Sequence, residues 1–148
     1  MPPLDDLSFT TTLTVRDSCL CLHVQRAARA LARRFDEALR PAGLTSGQFS
    51  LLMSLNRPQP AGIAQVAALL AMDRTTLTAN LKPLQRLGFV HVLAGEKDKR
   101  RRVLVLTPAG RSALAAAVPI WRHTHQAIEG ALGASNPDRL RADLIALS

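Results

Sequence analysis

The chain has 148 residues, with 19 Lys and Arg against 11 Asp and Glu, a formal charge of +8. Its 47% apolar content is enough for a core and excludes a disordered basic tail. Aromatics are 3% with no Tyr, which argues against a sheet that stacks RNA bases; two Cys cannot build a disulfide framework and point to a reducing compartment. The longest apolar run, Ala113–Trp121, is too short to span a bilayer and contains Pro119. Met1-Pro2-Pro3-Leu4-Asp5-Asp6 lacks the basic and apolar regions of a signal peptide. The expectation is a single cytoplasmic domain over 1–148 with no membrane partner.

Residues 1–15 are rich in Pro and Thr without helical period and read as an arm. Leu20, Val24, Ala27, Leu31, Phe35 and Leu39 then step by three and four, an amphipathic helix that Pro41-Ala42-Gly43 ends. Thr45 and Gln48 form a capping-box pattern for a second helix carrying Phe49, Leu52 and Leu55. Asn56-Arg57-Pro58-Gln59-Pro60 breaks it. A short helix with Ile63, Val66, Ala67 and Leu70 follows, and Asp73 is a good N-cap for the next one. On that helix Leu77, Leu81 and Leu84 fall within about 60° of one another. Thr75, Thr78, Ala79, Lys82 and Arg86 lie opposite. Pro83 removes a backbone bond and predicts a kink or a loosened turn, and Gly88 ends the helix.

Residues 89–93 and 103–106 are strand-like runs around the basic stretch 94–102, a hairpin with a long tip. Thr107-Pro108 starts a helix with Leu114, Val118, Trp121, His125, Ile128 and Leu132 at heptad-like spacing. Pro119 is a candidate bend within it, and Ser135-Asn136-Pro137 starts a last helix with Leu140, Leu144 and Leu147. The fold class is mainly α with a small β-hairpin.

Residues 73–111 hold nine basic and three acidic groups, so they carry +6 of the +8. A clustered basic segment is the footprint of a polyanion partner. Short helix, turn, helix with a polar outer face, then basic hairpin is the order of a winged helix-turn-helix. A helix of this kind enters the major groove of duplex DNA and reaches base edges with its first residues. The candidate DNA-binding residues are Arg74, Thr75, Thr76, Thr78, Ala79, Asn80, Lys82 and Arg86 on the helix. On the hairpin they are Lys97, Asp98, Lys99, Arg100, Arg101 and Arg102. The threonines suit bases or phosphates, Lys82 and Arg86 suit phosphates, and an Arg at the tip suits the narrow minor groove.

Two stretches, Asp73-Arg74-Thr75-Thr76-Leu77-Thr78-Ala79-Asn80-Leu81 and Asp98-Lys99-Arg100 with Val103 to Gly110, resemble the MarR family of bacterial transcriptional regulators. The resemblance covers about residues 17–148. It implies a homodimer on a palindromic operator, probed by two recognition helices, with Arg100 as the minor-groove residue. It also implies that Asp98 orients the wing by pairing with an Arg such as Arg74. Lys99 stands where an Arg is usual. On this reading 17–40 and 108–148 are dimerisation helices and 45–107 the DNA-binding lobe. Apolar stripes on both terminal helices, more than a small DNA-binding core needs, support the dimer independently.

The family's members commonly release DNA on binding a small aromatic or phenolic effector. His23, Arg26, Phe49, Met53, Trp121 and His125 are the candidate pocket, with plain core packing as the alternative. Residues 17–22 resemble the first helix of organic-hydroperoxide repressors, with Cys21 at their reactive position. Cys19 and Cys21 diverge by about 200° if both are helical, which disfavours a disulfide. Buried structural thiols are the preferred reading. No metal-ligand spacing, phosphate loop or nucleophile motif occurs, so no metal, cofactor or enzymatic activity is expected. A non-sensing architectural DNA binder is the other rival.

Overall fold

The computed structural model describes residues 7–148. The chain divides into two compact units, one ending at Arg34 and one running Phe35–Ser148.

In the first unit, α1 (Phe9–Ser18) replaces most of the expected arm. Ser8 caps it by accepting from the Thr11 N–H, and Thr14 donates back to the Thr10 carbonyl. None of its residues is buried, so there is no apolar period for the sequence to display. The opening residues 1–6 lie outside the described residues. Cys19 is extended (φ −71°, ψ 109°) and separates α1 from α2 (Leu20–Leu39). The apolar stripe of α2 is exposed at Leu20, Val24 and Leu31 and buried at Leu39.

Within the second unit, a 3-10 turn (Arg40–Ala42) ends at Gly43 with φ 74°. The capping box at Thr45 and Gln48 forms as expected and starts α3 (Ser46–Ser54). Next come β1 (Ala61–Gly62), α4 (Ile63–Leu69) and α5 (Arg74–Arg86). The strands β2 (Val90–Ala94) and β3 (Arg102–Leu106) precede α6 (Pro108–Ala131) and α7 (Pro137–Leu147). Both α5 and α6 stay helical through Pro83 and Pro119, so neither proline opens a turn of non-helical backbone.

The sheet is antiparallel in the order β1-β3-β2, with Val90 opposite Leu106 and Ala94 opposite Arg102. Strand β1 was not expected. Its two residues pair Ala61 with Leu104 and Gly62 with Val103, too short a run to show alternation. Leu77, Leu81 and Leu84 are buried with Leu39, Leu52, Val66, Val90 and Leu104. Each such side chain contributes roughly 1.5–3 kcal/mol. One face of α5 is thereby fastened to the core and the opposite face is left free. No helix among the described residues is long and apolar enough to cross a membrane.

Candidate nucleic-acid interface

Asp73 accepts from both the Thr76 N–H (2.7 Å) and the Thr76 hydroxyl (2.8 Å). These bonds, the backbone one first, hold its carboxyl below the usual range. The charged cap fixes the first turn of α5 and suits the helix dipole. Thr75, Thr78, Ala79, Lys82 and Arg86 are all exposed on the outer face, as the spacing predicts. Arg74, Thr75, Thr78, Ala79 and Lys82 line one shallow groove there.

The three threonines are not equivalent. The Thr76 hydroxyl is tied to Asp73, and the Thr78 hydroxyl donates to the Arg74 carbonyl at 2.8 Å. Thr78 therefore presents its methyl and a lone pair. Asn80 turns toward Met72, donating to its sulfur at 3.6 Å, and borders a recess with Thr45 and Gln48 instead of the groove.

Arg100, Arg101 and Arg102 share a cleft with Arg74 and Thr78, so the wing and α5 meet in one cationic surface. Lys97 and Asp98 face the other side of the wing, toward Gln59 and Pro60, while Lys99 and Arg86 are exposed and line neither. Asp98 does not pair with Arg74. Its carboxylate accepts the Arg100 N–H at 3.0 Å, a local turn bond that shapes the tip from within. Among the described residues no cation in 73–111 forms an ion pair, so the charge of this surface is not neutralised internally.

Phe49, Met53 and Trp121 line an apolar cavity of about 520 Å³ with Leu69, Leu70 and Val118. Trp121 stacks on Phe49 at 6.2 Å and on His125 at 4.8 Å. His125 backs the tryptophan instead of lining the cavity, and its Nε2 lies 3.6 Å from Glu129. The charged group at the rim is Arg122, with Ser50 and Ser54 beside it. Arg122 lies off the apolar stripe, so helical spacing alone does not single it out. His23 and Arg26 belong to the first unit, both exposed, with His23 Nδ1 bonded to the Cys19 carbonyl at 2.7 Å. The cavity's lining comes entirely from the second unit.

Neither thiol is buried in the chain, which corrects the structural reading of both. Cys19 is half-buried at the α1–α2 break and Cys21 is exposed. No group of three or more potential metal ligands forms among the described residues.

A model of the MarR family matches residues 44–101, which span α3 to the wing. The solved structure of the Mycobacterium tuberculosis regulator MosR in complex with DNA is 40% identical, covers 88% of this chain and 93% of its own, and has a TM-score of 0.78. The chain belongs to the MarR family of transcriptional regulators. A further MarR-fold neighbour is the repressor CouR bound to a 23-mer DNA duplex, 27% identical over 90% of this chain and 94% of that one, with a TM-score of 0.79. The regulator YwoH of Bacillus subtilis is 34% identical over 57% of this chain and 61% of its own length. The chain spans about half to three fifths of the length of the curated relatives it matches. Transcriptional regulators of this family are a non-enzymatic class, in line with the absence of catalytic motifs.

Proposed function

We propose that the protein is a homodimeric, sequence-reading regulator of transcription that binds a palindromic operator. It acts as a repressor and is released by a small aromatic effector. The observation that carries this reading is the free outer face of α5, joined by a cleft to an unpaired cluster of wing arginines. On it, Thr75 and Thr78 face base edges, Lys82 and Arg86 face phosphates, and Arg100 enters the minor groove. With DNA as partner, the protein works in the cytoplasm. DNase footprinting tests the reading: a regulator protects a discrete palindrome, and uniform protection would favour an architectural binder.

The dimer is supported by uncovered apolar side chains in both units. Leu7, Phe9, Val15 and Leu20 are exposed in the first, and Ile145 and Leu147 in the second. A self-complementary interface would bury them. The effector reading rests on the cavity at Trp121, apolar with one rim guanidinium, which suits an aromatic acid.

A second reading has its own observation. Cys19 lies in the extended break and not on α2, so the divergence expected for two helical positions does not apply to this pair. Cys21 is exposed and both thiols are free. A hydroperoxide then oxidises the Cys21 thiol to a sulfenic acid, releasing an alcohol. Cys21→Ser would abolish release of DNA by cumene hydroperoxide; a variant released like wild type ends this reading.

A further inference from the structure

Backbone bonds fix Arg101 at the base of the wing tip. Its N–H donates to the Asp98 carbonyl at 3.0 Å, and its carbonyl accepts the Gly95 N–H at 2.7 Å. From that anchor its side chain crosses to β1. A Cβ on Gly62 would stand 2.7 Å from Nε and 2.7 Å from a terminal nitrogen of Arg101. Gly62 has φ −73° and ψ 153°, a conformation open to any residue. Glycine is therefore not needed there for its backbone freedom; the empty space above it is what the guanidinium occupies.

That space opens into the α5–wing cleft of about 360 Å³, lined also by Arg74, Thr78, Arg100 and Arg102. Among the described residues no carboxylate lines it. Guanidiniums gathered without an acid suit a tetrahedral oxyanion, held by paired N–H donors. On a DNA-facing surface the abundant oxyanion is the phosphodiester.

We propose that Gly62 is a positioning residue whose missing side chain seats Arg101 in this cleft, where the guanidinium grips a DNA phosphate. The proposal rests on the DNA-binding reading. The three atoms nearest a Cβ at position 62 all belong to the movable end of the Arg101 side chain, so Gly62→Ala should shift Arg101 and leave the fold in place.

The experiment is a salt titration of binding to a random-sequence duplex, followed by anisotropy. It uses wild type, Gly62→Ala, Arg101→Ala and the double variant, each checked by thermal melting. Losing one phosphate contact lowers the slope of log K against log salt by about one per chain. Both single variants should show that loss and weaken binding several-fold, with melting little changed. The double variant should bind like Arg101→Ala alone, because Gly62 acts only through Arg101. A wild-type slope for Gly62→Ala, or an equal further loss in the Arg101→Ala background, overturns the proposal. So does saturable binding of inorganic phosphate that Arg101→Ala removes while the DNA slope stays unchanged, which would assign the cleft to a free anion. If wild type binds no duplex at all, the regulator reading itself has failed.

Discussion

The Asp36 carboxylate, near the end of α2, accepts a hydrogen bond from the backbone N–H of Ser46 at 2.7 Å. Ser46 is the first residue of α3, where backbone N–H groups have no partner within the helix. The two residues are ten apart in sequence, so the bond ties the end of one helix to the start of the next across the 3-10 turn.

Asp36→Ala should cost about 1 kcal/mol in urea unfolding, a charge-assisted bond discounted for solvent screening. The Ser46 N–H bond is the main cause that holds the Asp36 carboxyl below its ordinary value. A depressed carboxyl contributes stability above its unfolded pKa, near 3.9, and loses it as pH falls through the folded value. The difference between wild type and Asp36→Ala should therefore be full at neutral pH and vanish in acid. A gap independent of pH would show that the carboxylate charge is not its source.

Gly110→Ala should be among the most damaging conservative changes. A Cβ there would collide with the Phe89 carbonyl oxygen, which is backbone and cannot swing away. The same junction is held by Thr107, whose hydroxyl donates to the Gly88 carbonyl at 2.6 Å and accepts the Gly110 N–H at 3.0 Å. The expected loss is about 3 kcal/mol or more. Gly47 sits in the first turn of α3, and a Cβ there meets nothing within 4 Å. Gly47→Ala should stabilise by roughly 0.5 kcal/mol. Thermal melts of the two variants side by side decide the matter.

Much of the DNA-binding lobe is legible in the sequence because its signals are local. Asp73, Thr45 with Gln48, Thr107-Pro108 and Gly88 each act within a turn of their own position, and each forms the cap or stop expected of it. The contrast between Leu77, Leu81, Leu84 and the exposed threonines is likewise a matter of helical angle. Elements without a period were not legible. Helix α1 has no fully buried residue among those described, and β1 is two residues long. The contact of Arg101 with Gly62 joins residues 39 positions apart and leaves no trace in spacing. The family resemblance implies a long-range partner for Asp98, but its own turn satisfies it first.

Trp121 is the chain's one tryptophan and lines the apolar cavity, so its emission reports on that site alone. Titration with salicylate or benzoate should quench it saturably, and Arg122→Ala should weaken that binding about tenfold by removing the rim cation. Quenching that is linear in ligand, or indifferent to Arg122→Ala, would show collisional contact and no site.

Exchange of Leu144 for Glu probes the assembly. Leu144 is 42% exposed on α7, a helix with no buried residue that would otherwise show apolar side chains to water. In an interface the new charges would be buried against their symmetry mates and repel. If the proposed dimer holds, Leu144→Glu should sediment as a monomer and lose operator affinity by at least tenfold, since half of the phosphate contacts would go with the second subunit. An unchanged dimer would put the interface elsewhere.

The two hydroxyls on the outer face of α5 should differ in what their loss does. Thr78 already gives its proton to the Arg74 carbonyl, so it has only a lone pair and a methyl to offer a base. Thr78→Val keeps the methyl and should change operator binding by less than about threefold, whereas removing the methyl with Thr78→Ser should weaken it where a thymine lies opposite. Among the described residues the Thr75 hydroxyl has no hydrogen-bond partner and is free to donate. Thr75→Val should cost about tenfold on the operator and nearly nothing on random DNA, the mark of a base contact. Lys82→Ala should do the reverse, weakening both alike and lowering the salt slope by about one per chain. Equal losses on both duplexes for Thr75→Val would move that residue from base reading to the phosphate backbone.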